Sequence, residues 1–338
     1  MLSPCGAGGP SGRRPGEGVV RGENPPSFGE GGRSRFRVLL PVRSSHRSLV
    51  VGAGVTDPHG MPSRFEIIET DSLGPDITRY VAIAPRVSAH AQPGQFVIVR
   101  VDHEGERIPL TICDHDAVKG TITLVVQAVG RTTTLMSRLG PGDALADVLG
   151  PLGRPTEVAR YGRVVIVAGG LGTAIALPVA RAMAQVGNVV HAIVGARDQA
   201  HLILTDEMSE VCDKITIITD DGSVGRKGLV TEPLEEIVED DEADFVFAAG
   251  PIVMMAAVAD ITRGHAVPTV ASLNPIMVDG TGMCGGCRVR IGDESRFACI
   301  DGPEFDAHLV DFDLLATRNR AYLDFEACRM EMTGSSHG

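Results

Sequence analysis

The chain has 338 residues, 43% of them hydrophobic, and a formal net charge of −12. That length allows two or three domains. The acidic balance, with no Trp and three Tyr, excludes nucleic-acid binding as the main task, which needs a basic face and aromatic stacking platforms. Of the seven cysteines, Cys284, Cys287 and Cys299 cluster, while Cys5, Cys113, Cys212 and Cys328 are scattered. That is not a secreted disulfide framework, and it points to a reducing, cytoplasmic setting with the cluster as a metal site. No apolar run approaches the roughly 18–20 residues needed to cross a bilayer.

Residues 1–60 are rich in Gly, Pro, Ser and Arg, with few apolar residues before Val38. They are expected to be a disordered or misassigned extension, with Met61 as the effective start. Arg13-Arg14 lacks the following apolar stretch of a twin-arginine signal. Residues 61–160 hold short β-runs, "RYVAIAP", "GQFVIVRV", "RIPLTIC" and "TITLVVQAV", broken at Pro93-Gly94, Pro141-Gly142 and Gly150-Pro151. That spacing predicts a small antiparallel barrel, with a helix in "GRTTTLMSRLG". Residues 161–273 change pattern. The continuous apolar run "RVVIV" reads as a parallel strand covered on both faces. Further strands are expected at "NVVHAIVG", "KITIITD", "DFVFAAG" and "PTVASLN", with helices between them, which predicts a doubly wound Rossmann-like sheet. Residues 274–330 are too short for an independent core and are expected to be stapled by a metal, with a tail at 331–338.

Several motifs carry chemistry. In "AGGLGTA", Gly169, Gly170, Gly172 and Thr173 follow a buried strand and open a helix, where backbone N–H groups can meet a pyrophosphate. The alternative is a tight turn with no ligand. Gly250 and Pro251, in "AAGP", and Asp221 also fall at the carboxyl ends of strands, as a ligand site or as plain turn residues. Arg197, beyond the second strand, can pair a 2′-phosphate, and Asp198 can bond a 2′-hydroxyl. On a strand of period two, Arg107, Pro109 and Thr111 share a face suited to a phosphate and a ring. Thr132 and Thr133 either bind phosphate or cap a helix. The cysteines stand in a C-x2-C-x11-C pattern with Asp279 five residues ahead. A plant-type 2Fe–2S loop reads C-x4-C-x2-C and then a distant Cys, so Asp279 occupies the first ligand position. Structural zinc bound by the same four groups is the alternative, and Cys328 is the fallback for the fourth ligand.

Together, "RIPLT", "AGGLGTA", "AAGP" and the cysteine loop resemble the ferredoxin–NADP reductase superfamily. "VGARD", "TDDGSVGRKGLVTEPL", "SLNPIMVDGTGMCGGCRV" and "FACIDGPEFDAHLVDFD" are similar to the electron-transfer subunits of dihydroorotate dehydrogenase type. Within these they resemble the small-subunit branch of NADH-dependent reduced ferredoxin:NADP oxidoreductases, also described as sulfide dehydrogenases. The resemblance spans Met61 to Tyr322. It implies FAD on the barrel, NAD(P)H on the Rossmann-like domain and a C-terminal 2Fe–2S cluster. Arg107, Pro109, Leu110 and Thr111 would hold the flavin, with Thr132 and Thr133 near its pyrophosphate. Gly169, Gly170, Gly172 and Thr173 would meet the dinucleotide, with Asp221 beside it and Gly250 and Pro251 lining the nicotinamide. In this branch an Asp serves as a cluster ligand, which fits Asp279. Two residues depart from the wider pattern: Ala249 stands where a Cys is common, and Ile175 where a Pro is common. The implied activity is an FAD- and 2Fe–2S-dependent NAD(P)H oxidoreductase subunit passing electrons to a larger flavoprotein or iron–sulfur subunit or to ferredoxin. No catalytic side chain is assigned, since the cofactors carry the hydride and the electrons. The alternatives are an electron transfer subunit of a dihydroorotate dehydrogenase, and a zinc-stapled nucleotide-binding regulator.

Overall fold

The computed structural model describes residues 65–321. The expected N-terminal extension, Cys5, Cys328 and the C-terminal tail lie outside the described residues. The first six strands are β1 (Ile67–Gly74), β2 (Ile77–Ile83), β3 (Phe96–Arg100), β4 (Arg107–Asp116), β5 (Thr121–Gln127) and β6 (Asp147–Leu152). They form one antiparallel sheet in the order β1-β2-β5-β4-β3-β6. The sheet closes on itself through the segment before β6. Ile67 N donates to Asp143 O at 2.8 Å, Gly142 N to Ile67 O at 2.8 Å and Leu145 N to Phe65 O at 3.0 Å. Closure leaves few edge groups unpaired, which is the barrel solution to the edge problem. Inside, Val97, Val99, Ile122, Leu124 and Met136 pack together. The buried Tyr80 hydroxyl donates to the Met136 carbonyl at 3.0 Å, tying helix α2 (Arg131–Met136) to the barrel. A short helix, α1 (Pro85–Ser88), links β2 and β3.

β1 and β6 are absent from the sequence expectation. β1 is charged and partly exposed, so its alternation is weak. Gly150-Pro151, expected as a break, lies inside β6. A Pro that cannot donate to a ladder is tolerated near a sheet edge, and here β3 pairs β6 with an irregularity in register beside it.

The second sheet is built from β7 (Arg163–Gly169), β8 (Val189–Ala196), β9 (Lys214–Thr219), β10 (Arg226–Lys227), β11 (Phe245–Ala249) and β12 (Thr269–Ser272). Four helices alternate with them: α3 (Gly172–Gln185), α4 (Thr205–Val211), α5 (Thr231–Glu239) and α6 (Ile252–Gly264). Strand order is β10-β9-β8-β7-β11-β12, all parallel. Val164 to Ala168 and Val246 to Ala249 are at most 1% exposed, which explains their unbroken apolar runs. Each large aliphatic buried this way contributes roughly 1.5–3 kcal/mol. Chain direction from β7 diverges from that at β11, and the crevice between their carboxyl ends is where such sheets take ligands.

The C-terminal part contributes a hairpin, β13 (Arg288–Ile291) with β14 (Glu294–Phe297), then α7 (Ala298–Asp301), β15 (Glu304–Asp306) and α8 (Phe312–Arg320). β15 joins the parallel sheet antiparallel to β12. Cys287, Val289, Ala298 and Cys299 share a core with Phe96 and Ile98 of the barrel and Met255 of α6. No helix among the described residues is long and apolar enough to cross a membrane.

Candidate functional site

The three parts meet around one cavity of about 910 Å³. The barrel supplies Phe96, Pro109, Leu110 and Thr111; the glycine turn supplies Gly169, Gly170 and Gly172; the end of β11 supplies Gly250 and Pro251. The segment entering the cysteine loop supplies Asn274, Pro275 and Met277. The volume lies at the upper end for a small-molecule site, and the lining is mostly apolar with a few polar groups.

The glycines differ in what they do. A Cβ on Gly172 would lie 2.1 Å from the Ala249 carbonyl oxygen, so Gly172 lets α3 pack against the end of β11. Gly170 has φ +54 with open space over it, and its N–H donates to Gly195 O at 2.8 Å. Such a left-handed residue re-aims the chain into α3 at no steric cost. Thr173 is 1% exposed, and its hydroxyl donates to the Gly170 carbonyl at 2.9 Å. It braces the turn from inside instead of lining the cavity.

Arg107 opens β4 opposite Arg100 and is exposed, outside the cavity lining that begins two residues on at Pro109. Thr133 Oγ1 accepts from Gly130 N at 2.9 Å and from Val129 N at 3.0 Å, while Thr132 is buried. The structure thus gives Thr133 the helix-capping role. Asp221 is exposed and turned onto its own loop, where Oδ1 accepts from Ser223 N at 2.8 Å. Hydrogen bonding to Ser223 lowers its pKa. Its neighbour Asp220 lines the cavity instead. Arg197 also lines it, and its Nη2 donates to His201 Nε2 at 2.9 Å. His201 Nδ1 in turn sits 2.7 Å from Asp198 Oδ1, and this hydrogen bond lowers the Asp198 pKa. Asp198 is thereby committed to His201. Asp220 and His201 were missed from sequence; Asp220 directly follows β9, a signal that was available, whereas His201 lies in the short helical turn Gln199–His201 beyond β8 and carried none.

In the cysteine loop Asp279 accepts from Thr281 N at 2.9 Å and from Cys284 N at 2.8 Å. These backbone donors, Thr281 first, hold its carboxyl below the usual range. Cys287 and Cys299 are buried, 1% exposed each, and Cys299 N points at Cys287 Sγ at 3.5 Å. Burial first, and the adjacent Cys287 next, push the Cys299 thiol up to about 12. Gly280, with φ +72, lies where a Cβ would strike Leu152 and Ile98 of the barrel; the loop is seated directly on β3 and β6.

The donors fall into two neighbouring pairs, Asp279 with Cys284 at the surface and Cys287 with Cys299 inside. Among the described residues no group of three or more His, Cys, Asp or Glu side chains is arranged to hold a metal ion. Two pairs suit a two-iron cluster, in which each iron takes two protein ligands, better than a single tetrahedral zinc. A buried thiol pair is also what a cationic centre would turn into thiolates. The residues therefore fit a 2Fe–2S group.

The comparisons agree with this geometry. Residues 166–260 match the oxidoreductase NAD-binding domain. Residues 274–311 match the iron–sulfur cluster binding domain of dihydroorotate dehydrogenase B. The chain is 42% identical over 266 residues to the dihydroorotate dehydrogenase B (NAD(+)) electron transfer subunit homolog of Thermotoga maritima, covering 79% of this chain and 94% of that protein. The chain belongs to the family of dihydroorotate dehydrogenase B electron transfer subunits and their homologues, within the ferredoxin–NADP reductase superfamily. A probable subunit of the same name from Methanopyrus kandleri is 34% identical over 228 residues, 68% of this chain and 84% of that one. Among solved structures, a chain of an NADH-dependent reduced ferredoxin–NADP oxidoreductase, studied for flavin-based electron bifurcation, aligns with TM-score 0.77 and 41% identity, covering 81% of this chain and 99% of that one. The family member described here is an oxidoreductase subunit of electron-transfer type, with FAD, a 2Fe–2S cluster and NAD(P)H as its redox groups.

Proposed function

We propose that this chain is the small subunit of a cytoplasmic complex of the NADH-dependent reduced ferredoxin–NADP oxidoreductase type, moving electrons between NAD(P)H and a larger flavoprotein or iron–sulfur partner, or ferredoxin. One observation carries the reading. The wall of the shared cavity continues from Asn274, Pro275 and Met277 straight into Asp279, the first ligand position of the cysteine loop. When bound, the flavin supplies the exchange between two-electron hydride chemistry and one-electron transfer.

The chain's own residues then have positioning tasks. Pro109, Leu110 and Thr111 offer a ring platform, with Arg107 outside it as a phosphate anchor. Gly169, Gly170 and Gly172 let a dinucleotide backbone approach α3, and Thr173 stiffens that turn. Gly250 and Pro251 border the reacting end, while Arg197 and Asp220 border the ribose end. Asp279, Cys284, Cys287 and Cys299 would hold the cluster, with its loop fixed on the barrel by the contact at Gly280. The free state of all five described cysteines suits a reducing compartment. We take the working domains as 61–160, 161–273 and 274–330.

A second reading, an electron transfer subunit serving dihydroorotate oxidation, is favoured by the match of residues 274–311. Asp279 in place of a first cysteine speaks for the first. The deciding experiment purifies the chain with its co-expressed neighbour. Flavin and iron–sulfur absorption with NADH-driven dye reduction is expected, and electrons should reach ferredoxin or NADP but not orotate. A colourless protein containing zinc would overturn both readings. Orotate reduction would select the second.

A further inference from the structure

Helix α8 begins where the match to the cluster-binding family model ends, at residue 311. Its N-terminus is capped by Asp311, whose side chain accepts from Leu314 N. Leu315, 2% exposed, anchors it in the core that also holds Cys287 and Cys299. Two successive side chains then reach back over the site. Arg318 Nη2 donates to the Gly286 carbonyl at 3.2 Å, and Asn319 Nδ2 to the Asn274 carbonyl at 3.1 Å. Asn274 lines the cavity, and Gly286 sits between Cys284 and Cys287. Gly286 is held at both ends, since its N–H points at Cys284 Sγ at 3.5 Å.

We propose that Arg318 is a positioning residue that fixes the C-x2-C loop and holds a positive charge against the cluster, raising its reduction potential. The inference rests on the reading that this loop binds a 2Fe–2S group. Three thiolates and a carboxylate give such a centre a net negative charge that grows by one on reduction. A cation held nearby favours the reduced form, and net charge and hydrogen bonding near the sulfurs are main determinants of the potential. Arg318 is half-buried and hydrogen-bonded to the loop itself, so its charge is only weakly screened. A second cation, Arg288, lies 5.9 Å over the Phe297 ring and is exposed. It serves as the comparison for a solvated charge near the same loop.

The test compares wild type, Arg318→Gln, Arg318→Lys and Arg288→Gln. Iron, sulfide and EPR spin are quantified first, and midpoint potentials are then measured by mediated titration. Arg318→Gln is expected to disfavour reduction about tenfold, a fall of about 59 mV for a one-electron couple. Arg318→Lys should restore most of it, and Arg288→Gln should give a smaller shift that vanishes at high salt. A potential in Arg318→Gln equal to wild type, or shifted no more than in Arg288→Gln, overturns the proposal. If Arg318→Gln purifies without its cluster, retention in Arg318→Lys supports the proposal; loss in both overturns it, because charge is then not what the loop needs. Wild-type protein without iron or sulfide would end the underlying reading as well, and the first assay reveals that.

Discussion

Glu304 offers a sharp test of how the cysteine-bearing segment is joined to the barrel. The residue is partly exposed as a whole. Its carboxyl end is enclosed: Thr156 Oγ1 donates to Oε1 at 2.8 Å, and a Cβ on Gly94 would come within 2.4 Å of the same oxygen. Burial pushes its pKa from the ordinary 4.5 up to about 7, with the Thr156 hydrogen bond pulling weakly the other way. A carboxyl whose folded-state pKa is raised costs no stability below pH 4.5, where both states are protonated. Between pH 4.5 and 7 the unfolded chain ionises while the folded one holds its proton, so stability falls with rising pH and then levels off. At 1.36 kcal/mol per pH unit the ceiling is about 3.4 kcal/mol, and partial solvent access reduces this to about 1–2 kcal/mol. Glu304→Gln keeps an acceptor for Thr156 and cannot ionise. Its melting temperature, measured with flavin saturating and ionic strength matched, should exceed wild type by about 2–4 °C at pH 8, with most of the gain gone at pH 5. A difference that is equal at both pH values, or that grows toward acid, would refute the argument.

Asp279→Ala and Asp279→Asn should both lose iron and sulfide, although Asn still offers an acceptor for the Thr281 and Cys284 amides; a full cluster in Asp279→Asn would reduce Asp279 to a loop brace. Asp279→Cys should keep a cluster with altered EPR parameters and potential, since a soft sulfur replaces a hard oxygen. Arg107→Ala should purify depleted in flavin, losing a charge-assisted contact worth about 1.5–3 kcal/mol; unchanged flavin affinity would remove Arg107 from the site. Gly172→Ala should force α3 off the Ala249 carbonyl at a cost of about 1–3 kcal/mol, and weaken NADH binding in a fluorescence titration while cluster content stays normal. An unaltered NADH Kd would mean the turn is only scaffolding.

The central strands were legible because burial on both faces leaves a continuous apolar run, as in Val164–Ala168 and Val246–Ala249. α6 was legible from its long helical stretch, and the site glycines from their place after such strands. Strands without that signature escaped. β1 and β6 carry charged or Gly-Pro positions because closure of the barrel, a long-range event, stabilises them. β15 is three residues whose pairing with β12 depends on chain segments far apart in sequence. Asp220 against Asp221 shows a finer limit: at the end of β9 adjacent residues point different ways, and only the backbone decides which carboxylate enters the cavity.

β15 also bears on how this chain can be cut. Val270, Ala271 and Ser272 of β12 are hydrogen-bonded in register with Asp306, Phe305 and Glu304, so the cysteine-bearing segment supplies the outer border of the nucleotide domain. A fragment ending near residue 273 would leave that border with bare N–H and C=O groups beside the apolar Ala271, a template for pairing with another copy. The segment that holds the cysteines therefore also covers the edge through which the nucleotide domain would self-associate.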